Sequence, residues 1–299
     1  MGHSFYERFP QARAVYEQAD IHLGFNLSEL CFNGPDAALR ETENAQVALF
    51  VTSIAAWRCL EVCSAVQPEA VAGHSVGEYA ALVAAGSLDF TDGLSLVRRR
   101  GELMRDAARQ TPGTMAAVLG LDAETARAAC REAQAAGEGI VTVANLNGGG
   151  QVVISGTAGA VARASEIAKQ KGAKRVLPLA VSGAFHSPLM VAAGDALYAD
   201  LARTDFRKPT APIVANVTAQ YVEMPGDVIG GLTLQVSGSV RWEESMQLLL
   251  RDGFNTFVEL GSGDVLAGLM RRIDKAARVY SIQDADSLQK ACELLVAGS

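Results

Sequence analysis

Apolar and polar positions along the chain switch repeatedly between a 3.6-residue and a two-residue period. That alternation predicts helices and strands in turn, and so an α/β fold. Residues 43–62 read as a helix with much apolar surface, and 68–73 as a short buried strand. Residues 76–85 read as a helix stopped by Gly86, and 91–108 as another with Asp92 near its start. Thr111, Pro112 and Gly113 then break the chain.

The next stretch has its own pattern. Strand-like segments at 115–121, 140–146, 151–155 and 175–181 alternate with an Ala-rich helix at 123–135 and a helix at 157–171 closed by Gly172. Asn147-Gly148-Gly149-Gly150 joins the two middle strands. The order β-α-β-β-α-β is the ferredoxin-like arrangement. It predicts a small domain over 114–181 inserted into a larger one made of 1–113 and 182–299. In the larger part, helices are predicted at 189–202, 240–251, 265–273 and 287–295, and strands at 212–217, 256–260 and 278–282.

Composition narrows the picture. Of 299 residues, 49% are apolar, enough for a sizeable core and too many for wholesale disorder. A net charge of −7 and only 6% aromatics argue against a nucleic-acid binder. The five cysteines, Cys31, Cys59, Cys63, Cys130 and Cys292, are odd in number and scattered, which speaks against a disulfide framework. Cys59 and Cys63 read as two buried neighbours on one helix face, with too few ligands nearby for zinc. No metal site is expected. The opening MGHSFYERFPQAR is charged too early for a secretory signal, and the longest apolar run, at 47–57, is too short to span a bilayer. A cytoplasmic protein without membrane contact is expected. The exposed helix faces look ordinary in polarity, which suggests a monomer.

Gly73-His74-Ser75-Val76-Gly77 matches G-x-S-x-G. The motif alone is weak, but an apolar strand precedes it and a helix follows, the context of a nucleophile elbow. An ordinary serine in a Gly-rich turn is the competing explanation. A serine nucleophile needs a base, and the chain has four histidines. His3 sits at the terminus, His22 in an amphipathic stretch, and His74 beside the serine, where neighbouring side chains diverge. His186, in the small-residue loop Ser182-Gly183-Ala184-Phe185-His186-Ser187-Pro188, is left as the best base. Taken alone, Arg100 in the run Arg98-Arg99-Arg100 reads as a solvated helix residue.

Six segments then occur in a telling order. They are Gly73 to Tyr79, Arg100-Gly101 within Val97 to Met104, Ala184-Phe185-His186-Ser187, Asn216-Val217-Thr218, Ser239-Val240-Arg241-Trp242, and Glu259-Leu260-Gly261-Ser262-Gly263. The set resembles malonyl-CoA:acyl carrier protein transacylases of bacterial fatty acid synthesis, relatives of polyketide synthase acyltransferase domains. The resemblance spans nearly the whole chain. It implies a hydrolase-like large domain with the ferredoxin-like insertion and an active site between them. It implies Ser75 as nucleophile, His186 as base and the Val76 N–H as an oxyanion donor. Backbone carbonyls orient the histidine in place of a triad acid, one of them from Asn216. Arg100 would hold the malonyl carboxylate, and Phe185 goes with malonyl over methylmalonyl. Gln46 would line the substrate site. The reaction implied is transfer of malonyl from malonyl-CoA to the phosphopantetheine thiol of acyl carrier protein through a malonyl-serine, with no permanently bound cofactor.

Three departures from the family stand out. Its opening strand and Phe-Pro-Gly-Gln-Gly-Ser-Gln segment have no counterpart, Met1-Gly2 aligning just after it, which predicts a sheet one strand short and an oxyanion hole one donor short. Gly148-Gly149-Gly150 replaces a usual proline and predicts a looser loop. Val47 follows Gln46 where proline is common. Two basic clusters, Lys169, Lys171, Lys174 and Arg175, and Arg271, Arg272 and Lys275, are candidates for steering an acidic carrier protein, or are simply solvated faces. A serine esterase or thioesterase, a chain without catalysis, and an acyltransferase serving a polyketide synthase in trans stay open as alternatives.

Overall fold

The computed structural model describes residues 1–64 and 67–297. It is a mixed α/β structure. Four helices that the periodicity does not announce come first: His3–Arg8, Pro10–Leu23, Leu27–Asn33 and Asp36–Leu39. The helix Thr42–Ser64 follows, then β1 (Val71–Ala72) and the helices Gly77–Ala84 and Phe90–Gln110. β2 (Thr114–Leu119), the helix Ala123–Ala135, β3 (Val141–Gly148), β4 (Gln151–Gly156), the helix Ala158–Gln170 and β5 (Arg175–Pro178) form the next block. After it come the helix Val191–Leu201, β6 (Ile213–Val214), β7 (Tyr221–Val222), and the helices Pro225–Gln235 and Trp242–Arg251. β8 (Thr256–Leu260), the helix Val265–Ile273, β9 (Arg278–Ile282) and the helix Ala285–Ala297 close the chain.

The four strands of the middle block make one antiparallel sheet in the order β3-β4-β2-β5. Its side chains alternate between two buried faces, as the two-residue period requires. Ala116, Val118, Val143, Val152 and Ile154 pack under the helices Ala123–Ala135 and Ala158–Gln170. Met115, Ala117, Ala144 and Val153 face the other way, toward Leu179 and Phe185. The edge strand β3 is tied to the rest of the protein. Leu146 N–H donates to Val240 O at 2.9 Å and Val240 N–H to Ala144 O at 2.8 Å, so its open edge is covered.

Around this block the strands form two separate ladders. β1 runs parallel to β6, which pairs with β7, and β8 runs parallel to β9. Every residue of β8 is half-buried. The helix Thr42–Ser64 lies at the centre of the largest apolar cluster, against Phe5, Tyr16, Leu82, Leu94 and Val97. With 23 residues it is long and apolar enough to cross a membrane by length and composition, longer than the 47–57 run suggests. Its apolar positions are instead used as a core helix.

Two expectations need correction, and one turn is seen in detail. Cys63 is exposed, unlike buried Cys59, and forms a disulfide with Cys292. Cys63 stands at the end of its helix, past the core, where the closing helix Ala285–Ala297 meets it. Gly148, Gly149 and Gly150 make the turn between β3 and β4 in a shape that suits glycine. All three residues have positive φ, and a β-carbon on Gly149 would collide with Arg272. The strand predicted at 212–217 shrinks to Ile213–Val214, because the chain turns there to bring Asn216 beneath the elbow.

Candidate active site

The elbow begins at β1, whose exit residue Gly73 has no room for a side chain. A β-carbon there would strike the Gly77 carbonyl. Ser75 takes φ 51°, a left-handed conformation that costs energy for a residue with a β-carbon. The turn is clamped from below by Asn216, which is 2% exposed. Its Oδ1 accepts from the Ser75 N–H at 2.7 Å, and its Nδ2 donates to Gly73 O at 2.7 Å. Val76 is the N-cap of the helix Gly77–Ala84, so its N–H is among the donors that a helix start leaves free for an oxyanion.

His186 sits on a second strained residue, with φ 55°, and is buried. Its Nε2 lies 2.8 Å from Ser75 Oγ. Its Nδ1 faces the backbone carbonyls of Gln235 at 2.8 Å and Gly238 at 3.2 Å. Two carbonyl acceptors call for a proton on Nδ1 and leave Nε2 as the acceptor for the serine proton. Burial first, and the nearby Arg100 charge second, push the imidazole down to about 3, so it is neutral across the physiological range, with Nε2 free to accept the serine proton. The expectation that the Asn216 carbonyl orients the histidine is not met. That carbonyl accepts from the Arg241 N–H instead, because the loop after Gln235 brings nearer carbonyls. Asn216 therefore clamps the elbow and does not line the substrate space.

Arg100 comes from the helix Phe90–Gln110 and is 1% exposed. Nη2 donates to Ser75 Oγ at 3.1 Å and to Gln235 Oε1 at 2.9 Å, and Nη1 donates to Gln46 Oε1. The guanidinium also lies 5.9 Å from the Tyr79 ring centre. Among the described residues no carboxylate lies within ion-pair distance of it, and its Nε has no hydrogen-bond partner. A buried cation held by neutral amides is costly unless an anion joins it. Gln46, buried on the helix Thr42–Ser64, stands one bond behind Arg100. Phe185 is half-buried beside the apolar face of the four-stranded sheet. His74 turns away from the serine, and its Nε2 meets Asn147 Oδ1 of β3 at 2.9 Å.

Two residues of the site carry no assignment from the sequence. Gln235 is fully buried and serves four groups: its carbonyl takes His186 Nδ1–H, its Oε1 takes Arg100, and its Nε2 donates to Ser75 O at 3.0 Å and Glu78 Oε2 at 2.6 Å. Glu78 was inside the quoted elbow motif, which was the only signal for it. Gln235 lies in a glycine-containing stretch with no motif at all. No group of three or more His, Cys, Asp or Glu able to hold a metal occurs among the described residues.

Residues 1–288 match the acyl transferase domain family. The chain is 42% identical over 295 residues to the malonyl CoA-acyl carrier protein transacylase of Bacillus subtilis (strain 168), covering 99% of this chain and 92% of that one. It is 39% identical over 287 residues to the Escherichia coli (strain K12) protein of the same name, covering 96% and 92%. The solved acyl-carrier-protein-S-malonyltransferase from Bartonella henselae superposes with a TM-score of 0.94 at 42% identity, over 99% of this chain and 94% of that one. A malonyl-transacylase solved in complex with its type II polyketide acyl-carrier protein gives 0.94 at 37% identity, over 97% and 94%. With its elbow serine, its carbonyl-held histidine and these relatives across nearly its full length, the chain belongs to the acyl transferase domain family, together with the malonyl CoA-acyl carrier protein transacylases.

Proposed function

We propose that this protein moves a malonyl group from malonyl-CoA to the phosphopantetheine thiol of an acyl carrier protein, through a malonyl ester on Ser75. The observation that carries this reading is Arg100, a buried guanidinium with no carboxylate partner among the described residues, 3.1 Å from the serine oxygen. Its planar fork suits a carboxylate, and malonyl carries one at the right end of the acyl group. In the first half-reaction His186 Nε2 takes the Ser75 proton as Oγ bonds to the thioester carbon. The Val76 N–H meets the oxyanion, and the C–S bond breaks as His186 returns the proton to the coenzyme A thiolate. The carrier thiol then gives its proton to His186, attacks the ester and leaves with the malonyl group, while Ser75 recovers its proton. Phe185 narrows the acyl space in favour of malonyl, Gln46 holds Arg100 in place, and Asn216 holds the turn.

The fold is read as a hydrolase-like large domain, 1–113 and 182–299, with a ferredoxin-like insertion at 114–181. The strand order β3-β4-β2-β5 and the separate apolar core of the middle block support that reading. The basic groups Lys169, Lys171, Lys174 and Arg175, and Arg271, Arg272 and Lys275, are the surfaces offered to the acidic carrier. The protein works as a cytoplasmic monomer with no resident cofactor. A hydrolase is disfavoured because His186 is held by carbonyls and Arg100 has no task in ester hydrolysis. The similarity to a transacylase bound to a polyketide carrier favours a second setting, service to a polyketide synthase in trans.

Intact mass after incubation with malonyl-CoA tests the reading. A malonyl adduct on the parent chain, none on Ser75→Ala, and its transfer to holo carrier protein faster than its loss to water are expected. An adduct on Ser75→Ala, or hydrolysis outrunning transfer, overturns it.

A further inference from the structure

Glu78 lies in the first turn of the helix behind Ser75, and no step of the transfer uses it. It is 3% exposed. One of its oxygens, Oε2, accepts from Gln235 Nε2 at 2.6 Å and from the Asn216 backbone N–H at 3.2 Å. Both partners hold reacting groups. Gln235 offers its carbonyl to His186 Nδ1–H, and Asn216 offers Oδ1 to the Ser75 N–H. A single carboxyl oxygen therefore stands one bond behind the residue that sets the base and one bond behind the residue that sets the nucleophile's turn.

We propose that Glu78 is a positioning residue for this acyl transfer, fixing Gln235 and Asn216 and through them the His186 imidazole and the Ser75 turn. The proposal rests on the Ser75–His186 reading above. Both hydrogen bonds end on the same oxygen, so a glutamine carbonyl can accept both, whereas leucine leaves two buried donors unsatisfied. The charged and titratable groups facing Glu78 are Arg100, from the helix Phe90–Gln110, and its neighbour Tyr79. From β6, β7 and their turn and from the helix Pro225–Gln235, its hydrogen-bond partners among the described residues are the neutral Asn216 and Gln235. Burial pushes the Glu78 carboxyl up to about 7, so its charge changes within reach of an ordinary pH series. The anion, two bonds from His186, favours the imidazolium that forms as the serine attacks.

The test follows the rate at which diisopropyl fluorophosphate phosphorylates Ser75, with loss of fluoride, by intact mass of the full chain. This reaction needs the serine–histidine pair but no acyl-CoA. Wild type, Glu78→Gln and Glu78→Leu are compared across pH about 5 to 9, with a thermal melt of each. The expected result is a wild-type rate that rises near pH 7, a Gln variant within about threefold of the low-pH wild-type rate but without that rise, and a Leu variant slowed by about tenfold to a hundredfold. A cooperatively melting Leu variant that reacts at the wild-type rate overturns the proposal. So does a Gln variant that keeps the rise, or one as slow as Leu. If the Leu variant does not fold, the pH profile of the Gln variant decides alone. A wild-type chain inert to both the reagent and malonyl-CoA overturns the parent reading and this one together. A chain that reacts with the reagent but not with malonyl-CoA overturns only the malonyl assignment, and the Glu78 comparison still stands or falls on its own rates.

Discussion

The middle block and the protein around it are built on opposite principles. In the block, strands of four to eight residues form one regular antiparallel sheet over a core of Ala, Val, Ile and Leu. In the surrounding part, β1, β6 and β7 are two residues each. There the buried set includes Glu78, Arg100, His186, Asn216 and Gln235. The non-glycine residues with positive φ, Ser75, His186 and Ala219, also all lie there. Among the described residues, desolvated charge and positive-φ strain thus fall in the part that carries the proposed site, while the block supplies an apolar wall beside Phe185. The lesson is a division of labour: apolar periodicity orders the block, whereas the surrounding part adds polar satisfaction to its own large apolar cluster.

That division can be broken from either side. The largest effect is expected at His186. His186→Ala removes the imidazole that meets Ser75 Oγ, the proposed base, and should slow malonyl loading by about 10²–10⁴-fold, read by rapid-quench mass spectrometry. A loss under tenfold would move the base elsewhere. In the block, Ile154 is 2% exposed in the core cluster. Ile154→Ala should cost about 2–5 kcal/mol of stability, measured by urea unfolding, yet leave loading per folded molecule unchanged. Loading that drops beyond the unfolded fraction would show that the two regions are not independent.

Arg100→Ala sharpens the comparison within the catalytic part. A hydrogen bond to a charged group is worth about 1.5–3 kcal/mol, so malonyl loading should fall roughly 10- to 150-fold. Acetyl loading should fall less, since it loses only the contact to Ser75 Oγ. Equal losses for the two acyl groups would remove Arg100 from carboxylate recognition.

The same contrast explains what could be read from the sequence. The helix Ala123–Ala135, β8, the helix Val265–Ile273 and β9 match their predicted limits, because strong apolar periods sit between clear breakers. The helix Pro10–Leu23 escaped notice because its buried side is only Ala12, Val15, Tyr16 and Ala19. The helix Pro225–Gln235 escaped because Gly226, Gly230 and Gly231 make it read as loop. Ser75 and His186 were reachable through a motif and by elimination. The roles of Gln235 were not, since its bonds to Ser75 and Glu78 join residues 160 and 157 positions apart and leave no local trace. Asn216 was picked out as a residue but given the wrong atom: its side chain does the work that was assigned to its carbonyl.

The smallest expected effect is a cancellation. His186 ordinarily titrates near 6.5 and is held at about 3, so between those values the unfolded chain binds more protons and stability rises with pH. Glu78 ordinarily titrates near 4.5 and is raised to about 7, so between those values the native chain binds more protons and stability falls with pH. From pH 4.5 to 6.5 the Glu78 slope opposes that of His186 and that of His74, whose desolvated imidazole is also held low, so the melting temperature should rise only gently with pH. Below that window the His186 contribution continues to fade, joined by carboxylates held low in the native state, such as Glu43 and Glu244. Glu78→Gln removes one slope only. In that variant the melting temperature should climb more steeply with pH across the same window, and His186→Asn should flatten it. A parent chain that already slopes steeply there, or variants whose slopes match the parent's, would mean that these two buried groups do not carry the coupled burial described for the catalytic part.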